Sequence, residues 1–163
     1  GMLDSAIAFL KSRGGSKPSG KRLILAGSVC NHPAIYSVVE KSGGAVVWDD
    51  LCTGSRYFEG EIAEGGDPCD AIADRYSTRA ICPAKHLSNT ARGERLAALA
   101  KEHGAAGVIF LYLKFCDPHS WDYPYLKGFL DRDGVPSALV EIEEKMPSEG
   151  QLATRFEAFI EML

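Results

Sequence analysis

Four short and almost continuously apolar runs, bounded by glycine, proline or charge, constrain what this chain can fold into more than any other feature. They are Arg22 to Ala26, ended by Gly27, then Ala45 to Trp48, Val108 to Leu113 and Ser137 to Val140. A run that is apolar at every position has no polar face to offer water, which marks a strand covered on both sides. The connections between the runs are long enough to be crossovers, so the strands are expected to pair in parallel. Helical patterns fill those connections. One begins at Pro33 and carries Ile35, Val38 and Val39 before Gly43-Gly44. Asp67-Pro68 supplies an N-cap and a first-turn proline for a helix through Arg79, and another runs from about Ser88 to His103, closed by Gly104. Asp117-Pro118 opens a helix that spaces Trp121, Tyr125 and Phe129, and Leu126 with Leu130, at i, i+4. Ser148 with Gln151 reads as a capping box ahead of a last helix that buries Leu152, Phe156, Phe159, Ile160 and Leu163. Strand and helix in alternation predict a three-layer, doubly wound α/β domain, Rossmann-like or flavodoxin-like, with four parallel strands in the order 2-1-3-4.

The domain is expected to span residues 21–163. Residues 1–20 form a separate N-terminal piece: a helix with Leu3, Ile7 and Leu10 on one face, followed by the connector Gly14-Gly15-Ser16-Lys17-Pro18-Ser19-Gly20. Gly1 before Met2 reads as a tag remnant. A net charge of −4 and the lack of a basic cluster speak against a nucleic-acid partner. No apolar run approaches the ~20 residues of a membrane span and no secretory leader opens the chain, so a cytoplasmic protein away from membranes is expected. The five cysteines are odd in number and contain no CxxC pair, which argues against a disulfide framework, a zinc finger or a thioredoxin-type site.

In an open parallel sheet, ligands collect beyond the carboxyl ends of the strands. Four loops leave that end. Three of them carry a cysteine just past a strand: Cys30 in Gly27 to Pro33, Cys52 in Asp49 to Arg56, and Cys116 in Lys114 to His119. The fourth is Glu141 to Lys145. Neighbouring strands lie about 4.8 Å apart, so three such loops can bring thiolates within reach of one metal or cluster, one ligand short of a complete four-ligand site. Buried packing is the competing reading for any cysteine, and it is the one adopted for Cys69 and Cys82. His103 and His86 read as structural, whereas His32 and His119 flank cysteine loops and are candidate hydrogen-bond donors behind a ligand. Asp49 and Asp50 either act as ligands or acids or bind loop amides. Arg56 and Arg155 suit a phosphate or carboxylate contact, with a surface salt bridge as the plainer fate.

Several segments together resemble a family. They are Leu25-Ala26-Gly27, Glu40 to Val47, Asp50-Leu51-Cys52-Thr53-Gly54-Ser55-Arg56-Tyr57-Phe58, Arg75-Tyr76, Cys82-Pro83, Gly107-Val108-Ile109, Lys114-Phe115-Cys116-Asp117-Pro118, Pro136 and Thr154 to Phe159. In this order they resemble the C-terminal lobe of the 2-hydroxyacyl-CoA dehydratase D-component and benzoyl-CoA reductase subunit family, over residues 21–163. The resemblance implies oxygen-sensitive enzymes whose paired subunits each hold a 4Fe–4S cluster and take single electrons from a separate ATP-hydrolysing activator. Through radical intermediates they dehydrate 2-hydroxyacyl-CoA thioesters or reduce an aromatic thioester. It implies Cys116 as this lobe's cluster ligand and Cys52 as a cysteine near the cluster, and it offers no counterpart for Cys30. The family's remaining ligands come from an N-terminal lobe, in whose place this chain has only a helix and a connector. Four expectations follow. The cluster is incomplete or absent in the isolated chain, the chain alone is inactive, and the missing lobe or a partner subunit completes it. Without that partner, an uncovered apolar surface favours a homodimer. The reading from a different class is a non-catalytic α/β module that binds a metal, a small ligand or a protein.

Overall fold

The structure, a computed structural model, describes residues 1–15, 18–78, 82–85, 88–143, 145 and 148–163. Helix α1 spans Met2–Ser12 and is followed by β1 (Lys21–Gly27), α2 (Ala34–Lys41) and β2 (Gly44–Asp50). Then come the single turn α3 (Ser55–Phe58), α4 (Pro68–Thr78), α5 (Asn89–Glu102), β3 (Gly107–Leu113), α6 (Asp117–Arg132), β4 (Ser137–Ile142) and α7 (Glu149–Glu161). The four strands form one parallel sheet in the order β2-β1-β3-β4, as the alternation of apolar runs predicts.

Side chains alternate across a strand, so β1 supplies both layers of the core. Leu23 and Leu25 point into one cluster with Ile35, Val39, Phe156 and Phe159, which places α2 and α7 on that face. Ile24 and Ala26 point into the other with Leu96, Phe110, Leu126 and Leu130, under α5 and α6. In register, Leu25 lies between Asp49 of β2 and Ile109 of β3. Gly27 ends the central strand at φ 140°, where an added Cβ would run into the Leu111 carbonyl. Only glycine lets β1 stop that close to β3. The Ser28 hydroxyl then accepts from Leu113 N at 2.6 Å, tying the first loop to the end of β3.

Some local expectations need correction. Helix α6 forms, but Trp121 and Tyr125 are exposed, while Leu126 and Leu130 fill the core. An i, i+4 stripe identifies a face without saying which of two adjacent faces is buried, and here the aliphatic one is. Leu163 is half-buried at the end of the chain. Helix α1 has no buried residue, so Leu3, Ile7 and Leu10 all face outward. The Ser148 side chain accepts from Gln151 N, as the expected cap requires. Helix α4 is seen to Thr78, and Arg79, His86 and the connector residues Ser16 and Lys17 lie outside the described residues.

Candidate functional site

All three cysteine loops leave the sheet at its carboxyl end, from β1, β2 and β3, which are neighbours. The β1 and β2 loops are stitched together. Cys30 N donates to Thr53 Oγ1 at 3.2 Å, the Thr53 hydroxyl donates to the Cys30 carbonyl at 3.1 Å, and Cys52 N donates to the Ser28 carbonyl at 3.3 Å. Asp49 turns back on its own loop, accepting from Leu51 N at 3.3 Å and Ser55 N at 2.8 Å, so it does what strand-ending aspartates commonly do.

Arg56 makes a carboxylate contact, but a buried one with the chain's own Asp50 in place of a surface salt bridge. It is 4% exposed, with Nε 3.3 Å from Asp50 Oδ1, and Nη2 donates to the carbonyls of Asp50, at 2.7 Å, and of Gly27. The short helix α3 aims it inward. One buried guanidinium thus binds the last carbonyls of β1 and β2 and fixes the floor under the cysteine loops, a task suited to a rigid planar fork. A second buried pair, Arg92 of α5 with Asp122 of α6, lies on the same side of the molecule.

His119 in the first turns of α6 is 2% exposed, and its Nε2 lies 3.7 Å from Cys52 Sγ. Burial, with Arg56 and then Arg92 adding repulsion, pulls its pKa down from 6.5 to about 3, so the ring is neutral at physiological pH. Its Nδ1 has no hydrogen-bond partner among the described residues, and its ring packs 5.2 Å from that of Tyr112. Burial pushes the Cys52 thiol up, Arg56 opposes the shift, and the nearby Cys82 and Cys116 add to it. Cys82 therefore sits in the electrostatic neighbourhood of Cys52, which sequence spacing, with Cys82 thirty positions further on, does not reveal. Cys30 looks elsewhere. Its thiol is raised by burial and by Asp49, and its Sγ is 3.9 Å from the His32 carbonyl. His32 lines a depression of about 220 Å³ with Val29, Asn31, Leu113 and Ile142, while Cys69 is exposed on α4.

Cys116 is the N-cap of α6, half-buried, and its amide donates to the Leu113 carbonyl at 3.0 Å. The residue before it, Phe115, has φ 67° and is 88% exposed. A bulky residue in the left-handed region is unusual and costs roughly 1 kcal/mol or more, so the Lys114-Phe115-Cys116 turn is held by its surroundings. Lys114 N donates to the Ile142 carbonyl at 2.8 Å, one of the bonds that hold it. Among the described residues, no group of three or more His, Cys, Asp or Glu side chains is placed to hold a metal ion.

A parallel sheet with thiol-bearing loops at its carboxyl end, over a buried arginine, defines the class as an open α/β lobe with its cysteine loops gathered at one end. Comparison with known proteins makes that class specific. The 2-hydroxyglutaryl-CoA dehydratase D-component family matches residues 2–163, and the chain belongs to that family. It is similar to the (R)-phenyllactyl-CoA dehydratase beta subunit of Clostridium sporogenes, 33% identical over 88% of this chain and 38% of the relative. The lactoyl-CoA dehydratase subunit beta of Anaerotignum propionicum is 27% identical over 99% of this chain and 44% of the relative. The (R)-2-hydroxyglutaryl-CoA dehydratase subunit beta of Acidaminococcus fermentans is 30% identical over 90% and 40%. The chain spans less than half the length of these relatives.

Proposed function

We propose that this chain is the C-terminal lobe of a 2-hydroxyacyl-CoA dehydratase subunit, contributing Cys116, with Cys52 beside it, to an iron–sulfur cluster that another lobe or subunit completes. The observation that carries the reading is the position of Cys116. It lies in the Lys114 to Pro118 stretch of a chain that matches the family throughout, and it caps a helix at the end of the sheet where ligands bind. Cys52 and Cys116 lie in the same electrostatic neighbourhood, which supports reading them as one side of a site shared with another lobe. Exposed aromatic side chains flank the same loop, with Phe115 88%, Trp121 77% and Tyr125 60% accessible, as expected of a surface that a second lobe covers.

In this reading a bound cluster would supply single electrons at low potential. The chain's own residues hold the thiols in place. Arg56 and Asp50 fix the loop floor, His119 packs behind Cys52, and the turn at Phe115 presents Cys116. Cys30, on the far side of the β1 loop, takes no part in the reading beyond tying that loop to Thr53. An ATP-dependent activator and a cytoplasmic location belong to the same proposal.

The test is anaerobic reconstitution of the chain alone and with the N-terminal lobe of a relative, followed by iron and acid-labile sulfide assay, turnover of 2-hydroxyacyl-CoA thioesters with activator and ATP, and sedimentation. The lobe alone should hold little iron, show no turnover and self-associate. The completed assembly should take up a cluster that Cys116→Ala abolishes and Cys69→Ala leaves in place. A full, air-stable cluster or turnover in the monomeric lobe would overturn the proposal, and so would an assembly indifferent to Cys116→Ala.

A further inference from the structure

The Cys52 sulfur has polar neighbours on two sides. It lies 4.0 Å from the Gly27 carbonyl, which can only accept, and 3.7 Å from His119 Nε2, which can donate or accept. The carbonyl offers the thiol proton an acceptor. The sulfur lone pairs are then left to the imidazole, and the tautomer of His119 decides whether they meet a proton or another lone pair.

The groups behind the ring select the tautomer. His119 is 2% exposed and has two buried guanidinium groups, those of Arg56 and Arg92, for neighbours. An imidazolium there would lack a carboxylate of its own, because Asp50 is paired with Arg56 and Asp122 with Arg92. The ring therefore carries one proton, on Nδ1 or on Nε2. Among the described residues, His119 Nδ1, the Tyr112 hydroxyl and Arg56 Nη1 are all buried without a hydrogen-bond partner. Arg56 Nη1 can only donate, and burial keeps the Tyr112 phenol protonated, with an O–H to give. Asp50 Oδ1, an acceptor in this neighbourhood, faces Arg56 Nε at 3.3 Å. The surplus is one of donors. A bare Nδ1 relieves it, whereas a protonated Nδ1 adds to it. Tyr112 is placed to serve that nitrogen, with its ring centre 5.2 Å from that of the imidazole and the two planes tilted by 54°.

We propose that His119 is a positioning residue for Cys52, with its proton on Nε2 and donated to Cys52 Sγ, while Nδ1 accepts from the Tyr112 hydroxyl directly or through one buried water. Tyr112 on β3 and His119 on α6 thus fix a sulfur that belongs to the loop after β2, joining three elements at the carboxyl end of the sheet. An N–H aimed at a sulfur draws charge from it, and such bonds are among the factors that set the potential of an iron–sulfur cluster. That last consequence rests on the function proposed above, whereas the chain from Tyr112 through His119 to Cys52 does not.

Nitrogen-15 NMR of the full chain at neutral pH, with labelled histidine, tests it, because protonated and bare imidazole nitrogens resonate far apart. The His119 signals, assigned by their absence in His119→Gln, should place the proton on Nε2 and show it exchanging slowly with water. Cys52→Ala removes the acceptor and should move that proton upfield, while Cys116→Ala should leave it in place. Tyr112→Phe should shift the tautomer ratio roughly tenfold toward Nδ1, the equivalent of one hydrogen bond. The wild-type tautomer is decisive by itself, so the test stands even where a variant fails to fold. A proton on Nδ1 in the wild-type chain would overturn the proposal, and so would an Nε2 proton indifferent to Cys52→Ala or a tautomer ratio indifferent to Tyr112→Phe. The expected spectra beside an assembly that takes up no cluster would leave this inference standing and remove the proposed function. Protonation at Nδ1 beside an assembly that holds a cluster and turns over would do the opposite.

Discussion

At the scale of single residues, His119 has the most marked chemistry. An exposed imidazole titrates near 6.5, and this one is held to about 3 by burial and by two guanidinium groups. The unfolded chain therefore takes up a proton at a pH where the folded one does not. Stability contributed by the neutral ring is complete above pH ~6.5 and falls as pH drops toward ~3, at about 1.4 kcal/mol per unit. Urea unfolding at pH 7 and pH 5 should show a loss of about 2 kcal/mol from this group, and His119→Gln should flatten that part of the profile. An NMR titration placing the His119 midpoint near 6.5 would refute the assignment.

At the scale of elements, the contact between α5 and α6 depends on two neighbouring residues. Gly93 faces the Phe129 ring so closely that a Cβ has no room, and beside it Arg92 crosses to Asp122, with both side chains buried. Removing one charge strands the other, so Asp122→Ala is expected to cost about 3–5 kcal/mol in denaturant unfolding. The double change Arg92→Met with Asp122→Leu should cost much less, because desolvation consumes most of what the pair returns. Equal losses in the single and double variants would show that the pair matters for reasons other than charge. None of this is visible in the sequence. The strands were legible because burial on both faces leaves an unbroken apolar run, as in Val108 to Leu113, and Ser148 was legible because a cap is a local hydrogen bond. The burial of Arg56 was not legible because it depends on α3, a four-residue helix with no periodicity to detect. The convergence of Cys52 and Cys116 at one end followed from strand order, but the presence of Cys82 and His119 near Cys52 arises from long-range packing, which spacing does not encode.

At the scale of the whole molecule, the central strand waits for its partner. Strand β1 pairs with β2, which follows it closely in sequence, yet its other edge stays open until β3, and the Ser28 hydroxyl meets a carbonyl 83 residues further along. Closing so long a loop costs entropy before any contact repays it, and parallel topologies fold slowly for that reason. Refolding is expected in the millisecond-to-second range, with protection of β1 amides from hydrogen exchange appearing together with that of β3. Early protection of β1 with β2 alone would contradict this. On the ribosome the same geometry leaves Leu23, Ile24 and Leu25 without their β3 cover until residues 107–113 have been made. The emerging polypeptide thus has a sticky half-sheet throughout that interval, and a pause in translation between Asp50 and Gly107 would expose it to aggregation.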